Sequence, residues 1–552
     1  MPLSLRRTIR WLRRTLIILI VLLGMLAALF MTSTVQTWAA RRVTSVLHTE
    51  LGLDVSLGRL QYSFPNRVVL RDVLLRDDQQ DTVIGIGFMS TRIDLVNSKA
   101  SRIQLGRTNF QDLWLYLHKH EGDSINGFAQ FIKKFKRDED REKKDFYMDI
   151  RSVHIERMRF HLLDETCSDC FHLLWPKAEL NARKVMIYPD SISADIQHLS
   201  FNDPERFALK HMEAQAHYAA RSSALNNWLM VTDSSRLSGS AQLAYDSTSA
   251  FRSFIDEVSF KLELIDSRLD LREGHRFLSA IPALPGMQIE LQASGKLNEL
   301  DIESLELLDG KRTQLAMSGS MRDIQDDKGP ALDLQIEDLS TYVKALPRYL
   351  EPLQTTIALP SFMDSLNLLE ASGQLTRSGN TYGYTGKLEA KGLGLAEPDI
   401  ELQLEPNSNR GHRLSGGLRF ESLNLHLLSE NNSLQSASGV VRMDLRLPKG
   451  KIPEGRIKAA LTDLGAMDRQ FGGIQVEGAI ENQSFTGALH VIDPKVEFHF
   501  FGTADLGAGV RGYDFKAHLK KLDLAELGLV DDSVGKLAAR VELKAAGVFP
   551  ED

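Results

Sequence analysis

SASGVVRMDLRL, residues 436–447, decides the fold. Val441, Met443, Leu445 and Leu447 alternate with Arg442, Asp444 and Arg446, the period of a strand with one dry face and one wet face. The same alternation recurs in Val258, Phe260, Leu262 and Leu264; in Met287, Ile289, Leu291 and Ala293; and in Leu332, Leu334 and Ile336. Further on it runs through Ile400, Leu402 and Leu404, then Val496, Phe498 and Phe500, then Tyr513, Phe515, Ala517 and Leu519. Glycine and small residues punctuate these runs, as in LSGSAQL (237–243), AMSGSM (316–321), EASGQL (370–375), LSGGLRF (414–420) and FTGALHV (485–491). Their spacing is irregular, so successive antiparallel hairpins are expected and not a solenoid of fixed rungs. The expected fold is mostly β, an elongated, curled antiparallel sheet whose one face is apolar throughout.

That face needs a cover or a guest. Helical patterns are short and peripheral: Thr341 to Leu350, Ser361 to Leu369, Asp463 to Gln470, and Asp523 to Leu527, where Asp523 and Glu526 make a capping-box pair. None is long enough to roof such a sheet, so it either fills itself with its own side chains or stays open as a groove. The residues expected to line an open groove are Val258, Phe260, Leu262, Met287, Ile289, Leu291, Leu332, Leu334, Ile400, Leu402, Val441, Met443, Leu445, Val496, Phe498, Phe500, Tyr513 and Phe515.

The N-terminus sets the location. Leu16 to Phe30 reads LIILIVLLGMLAALF, and no charge occurs from Thr15 to Ala40. Eleven of those fifteen residues are Leu, Ile, Val or Phe, which together favour membrane insertion by roughly 3 to 7 kcal/mol. Arg6, Arg7, Arg10, Arg13 and Arg14 precede the run with no acid among them, so the tail is expected to stay cytoplasmic and the remainder to be exported. A cleaved signal peptide is the rival reading.

Composition narrows the function. A chain of 552 residues calls for several domains or an elongated array. Net charge is −7, and −12 once the five N-terminal arginines are set aside, which disfavours nucleic acid as a partner. Two cysteines, Cys167 and Cys170, leave the fold independent of disulfides. With His154, His161 and His172 nearby they permit a zinc site on paper, but the histidines lie in alternating strand patterns, and in an exported chain a local disulfide across a turn is the plainer expectation. We therefore expect no metal and no cofactor.

Enzymatic signals are weak. Gly507 to Gly512 satisfies G-x-G-x-x-G but leads into a strand and not a helix, and Gly85-Ile86-Gly87 reads as a strand bend. No P-loop, G-x-S-x-G or H-E-x-x-H occurs. No catalytic residue is assigned, and an enzyme is not expected.

Residues 37–77, TWAARRVTSVLHTELGLDVSLGRLQYSFPNRVVLRDVLLRD, order an amphipathic helix, a glycine stop and two strands around Pro65 and Asn66. This stretch resembles the entry module of the AsmA-like proteins, in particular the large TamB-like members (translocation and assembly module proteins) of Gram-negative bacteria. EGDSINGFAQFI (121–132), with its Phe128, Phe131, Ile132 and Phe135 stripe, FHFFGTADLG (498–507) and FKAHLKKLDLAELGL (515–529) are similar to other segments of that family. The resemblance implies a β-taco, a U-shaped sheet with an apolar inside. It implies a single-pass protein of the bacterial inner membrane, mostly periplasmic, that carries phospholipid toward the outer membrane. The alternative it implies is a scaffold or assembly factor for outer-membrane proteins, acting with a barrel partner. Such proteins close with a domain at the outer membrane, whereas this chain stops at Phe549 to Asp552, so the resemblance implies an N-terminal portion. The expected divisions are a basic tail (1–14), an anchor (15–40), an entry module (41–145), a β-rich segment holding the two cysteines (146–236) and the groove segment (237–552).

Overall fold

A computed structural model describes residues 54–77, 80–97, 99–119, 147–165, 173–204, 207–277, 283–284, 286–310, 312–326, 329–350, 363, 366–405, 411–429, 434–448, 452–466, 469–505, 511–523 and 535–547. The expected anchor, the stripe at 121–135, both cysteines and most of the G-x-G-x-x-G stretch lie outside these residues. Among the described residues no helix is long and apolar enough to cross a membrane.

The chain is mostly β, and its described residues form 27 strands and a few helices of three to seven residues. It divides into two compact units, one formed by residues up to Arg252 with Phe260–Gly286, the other by Ser253–Ser259 with the chain from Met287 onward. In each unit the strands form sheet by pairing in chain order: Asp54–Ser63 with Arg67–Arg76 around Pro65 in the first, Met287–Lys296 with Glu299–Asp309 in the second. One pair departs from the expected antiparallel plan. Arg102–Lys119 and Tyr147–Asp164 run parallel, which requires a long return connection, and residues 120–146 supply the length for it.

The helix expected at Asp463 to Gln470 is a correction. Glu454–Ala466 is a strand, and Leu464 pairs with Phe471 of the short strand Arg469–Phe471. Leu464 also stands opposite Ala437, so cross-strand pairing overrides a helix-tolerant composition. The helix expected over Ser361 to Leu369 is likewise cut short, because Leu368 already begins the strand Leu368–Ser378. Asp523 ends the strand Arg511–Asp523. Thr341 and Tyr342 finish a strand before the short helix Leu346–Leu350.

In the first unit part of the apolar face is packed by its own side chains. Leu113, Ile155, Met158 and Ala178 are buried together, with Ile84, Ile86, Phe110 and Phe201 packed against them. Trp175 extends the cluster, stacked on Phe201 at 4.0 Å between ring centres and 4.7 Å from Phe160.

A buried polar knot closes this unit. Glu273, on the helix Leu271–Phe277, accepts hydrogen bonds from Thr232 Oγ1 (2.6 Å), Ser235 Oγ (2.7 Å) and the Ser234 amide (2.8 Å). Ser235 Oγ in turn accepts from the Asp270 amide at 3.0 Å. Asp270 precedes the helix and takes the Arg272 amide at 3.1 Å, as an N-cap does, and the Arg272 Nε at 2.8 Å. The Arg272 guanidinium holds the Asp270 carboxyl below the usual carboxylate range, against the opposing effect of burial. A folded-state value below the unfolded one adds stability above the unfolded value, and that stability is lost as pH falls through the folded one. Asp270→Ala should therefore cost roughly 0.5–2 kcal/mol at neutral pH, with the gap from wild type narrowing in acid. Denaturant melts at a series of pH values check this, and a gap that widens in acid would contradict it.

Candidate apolar face

The second unit carries most of the groove residues expected from the alternation, and its register aligns them in rows. One row passes from Leu334 to Leu375, Tyr384, Ile400, Gly416, Met443 and Ile457, each directly opposite the next on adjacent strands. A parallel row passes from Leu402 to Leu414 and Leu445. Val441 stands opposite Leu418, and Leu291 opposite Leu305, which leads on to Met317. Farther along, Phe498 pairs with Val491 and Leu519, Phe500 with Leu489 and Ala517, and Val496 with Leu522. The rings of Phe500 and Phe515 lie 5.1 Å apart.

Exposure separates the candidates into two groups. Val258 is wholly buried, and Met287, Ile289 and Leu445 are buried at 7–9% exposure, so these four serve packing. Leu291, Leu332, Leu334, Ile400, Leu402, Val441, Met443, Val496, Phe498, Phe500 and Phe515 are half-buried, as are Phe260 and Leu262 on the strand Ser259–Leu269 of the first unit. Tyr513 is placed by its backbone opposite Ala504. In the second unit Val343, Leu366 and Ala390 form a compact cluster with Leu346, Met363, Leu369, Leu393 and Leu427, several of them from the short helices themselves.

The glycines that punctuate the sequence come into register on this face. Gly373 faces Gly386, and Gly478, Gly487 and Gly502 follow one another across three strands. A methyl group on any of these five would lie 2.1–2.5 Å from an atom of a neighbouring strand. Adjacent strands therefore approach there more closely than a side chain permits.

Arg377 brings a charge to this face. Arg377 stands opposite Leu332 and Tyr382, and Tyr382 in turn opposite Leu402. Its guanidinium lies 5.1 Å from the centre of the Tyr382 ring, a cation–π contact, and its Nε donates to Gly379 O at 3.3 Å. The alternation of Gly373, Leu375 and Arg377 carried this placement, and reading only the apolar positions missed it.

The opposite face is polar and internally compensated. Arg413 grips Asp444 through two hydrogen bonds of 2.9 and 3.0 Å, which lowers the Asp444 carboxyl from its ordinary value, and Lys458 lies 3.0 Å from Glu477. These exposed pairs contribute little to stability and keep the outer side wet. A concavity of about 950 Å³ borders Arg442, Arg456, Lys458, Glu477, His490 and Phe501. Among the described residues no group of three or more His, Cys, Asp or Glu side chains is gathered as a metal centre would be, and His154 instead bonds Asn181 and Glu156.

No protein-family model, no curated protein and no solved structure matches the chain.

Proposed function

We propose that this chain is a membrane-anchored bridge of the bacterial inner membrane that carries phospholipid across the periplasm along its apolar sheet face. The supporting observation is the set of aligned, half-buried Leu, Ile, Met and Phe rows of the second unit, over which only helices of three to five residues occur among its described residues. An acyl chain of about sixteen CH₂ groups loses roughly 13 kcal/mol in crossing water, and an apolar lining removes most of that barrier. Aliphatic side chains in near-repeating rows also offer no deep well in which a lipid would stall. Arg377 and Tyr382, side by side in one row, suit the boundary between tail and headgroup. The charge-free run Leu16 to Phe30 supplies the anchor in this reading.

The second reading, a scaffold for assembly of outer-membrane proteins with a barrel partner, draws support from the first unit, where part of the apolar face is packed by its own side chains. Recovery of lipid decides between them. The full chain purified from membranes should yield phospholipid by mass spectrometry, and Met443→Asp or Phe498→Glu should remove most of it while leaving far-ultraviolet circular dichroism unchanged. Undiminished lipid in both variants would favour the scaffold.

A further inference from the structure

His490 and His499 face each other on neighbouring antiparallel strands, Ser484–Ile492 and Val496–Asp505. Their Nδ1 atoms are 2.7 Å apart and their ring centres 5.0 Å apart, with the planes at 65°. Both lie on the polar side of the sheet, in alternation with Leu489, Val491, Phe498 and Phe500, so the apolar rows make no use of them. On the far side of His499, Nε2 is 3.3 Å from Glu497 Oε1, which also accepts from Lys520 Nζ at 2.8 Å. A carboxylate there draws the His499 proton to Nε2 and leaves the Nδ1 lone pair pointing at His490. The next strand places His518 directly opposite His499.

The first unit repeats the arrangement. His198 and His211 bring their Nδ1 atoms to 2.9 Å, with ring centres 5.1 Å apart and Glu213 3.8 Å from His211 Nε2. Two facing imidazoles therefore occur in each unit, the first backed by Ser200 Oγ at 3.1 Å from His198 Nε2 and the second by the Glu497 carboxylate.

We propose that the His490 and His499 pair is a chelating site for a divalent cation of the zinc–copper class, and that the His198 and His211 pair is a second of the same kind. Both imidazoles bind through Nδ1. Metal–nitrogen bonds of about 2.0–2.1 Å set two nitrogens of a tetrahedral ion roughly 3.3 Å apart, so a small rotation of the two half-buried rings opens the gap. The ion displaces the single proton shared between the two Nδ1 atoms, which returns through solvent to His490 Nε2, so both imidazoles bind as neutral rings. Water fills the remaining positions.

The test uses the full chain in detergent, titrated with Zn²⁺ by calorimetry and with Cu²⁺ by electron paramagnetic resonance, whose nitrogen couplings report imidazole ligation. Wild type should bind two equivalents. His490→Asn and His499→Asn should each lose one, and His198→Asn the other. Glu497→Gln should keep the stoichiometry and weaken its site by roughly 10- to 100-fold. Circular dichroism establishes that each variant is folded, and the outward placement of these rings makes asparagine a mild change. Absence of binding in wild type overturns the proposal. So does an unchanged stoichiometry and nitrogen signature in the His490→Asn/His499→Asn double variant, because the ions would then sit on others of the 15 histidines.

Discussion

Alanine at Gly416 should destabilise the second unit by about 2–6 kcal/mol, while alanine at the adjacent Gly417 should stay within about 0.5 kcal/mol of wild type. Gly416 has φ near +129°, and a methyl group there would meet Asp399 O at 2.2 Å and Ile400 Cα at 2.8 Å. Both atoms are backbone, so relief requires two strands to separate. At Gly417 the nearest atom to a methyl group is Val441 O at 3.7 Å, an ordinary contact. The two residues are indistinguishable in LSGGLRF as written, yet they sit on opposite faces. Urea unfolding of both variants checks the difference. Equal effects would mean that the close approach of strands at the glycine rows is not a constraint on this sheet.

Glu273→Ala should cost the first unit about 2–4 kcal/mol, the scale of leaving one or two buried donors without an acceptor. Glu273 is 8% exposed, and Thr232 and Ser235, which it binds, are each 6% exposed. Its loss takes the acceptor from the buried Ser235 hydroxyl and from the Ser234 amide, while the Thr232 hydroxyl keeps Ser235 O at 3.3 Å, and each unsatisfied buried group carries a penalty of about 1–3 kcal/mol, partly recovered where water enters. Glu273→Gln keeps the shape and should recover part of the loss. Thermal unfolding followed by tryptophan fluorescence serves as the readout, since Trp228 and Trp175 both belong to this unit. A melting point within one degree or so of wild type for Glu273→Ala would show that the knot contributes nothing.

Period-two alternation made the β class and most of the second unit's apolar rows legible, because a strand pointing Val441, Met443 and Leu445 one way must point Arg442 and Asp444 the other. Three things were hidden from it. Bulges shift the parity within a strand: Asp266, at φ 43°, leaves Ile265 52% exposed and Ser267 buried, after Leu264 had pointed inward. Local composition at Asp463 to Gln470 tolerates helix, and the pairings of Leu464 with Phe471 and with the distant Ala437 settle it as strand. The parallel pairing of Tyr147–Asp164 and the Glu273 knot join residues some 40 positions apart, for which no short-range pattern exists. The facing histidines belong to this group as well. Each is an unremarkable residue on a wet strand face until register sets it beside its neighbour.

Chain-order pairing also bears on how the molecule is made. A strand whose hydrogen-bonding template is the segment synthesised just before it can dock as it emerges, with little loop entropy to overcome, so growth proceeds from the N-terminal side by accretion. Stability then resembles that of a linear array, a sum of neighbour terms in which an injury is felt locally before it is felt throughout. The parallel junction is the exception. There the template, Arg102–Lys119, must wait with an open edge until residues 120–146 have been made, which singles out that moment as the one at which a nascent chain is most exposed to mispairing.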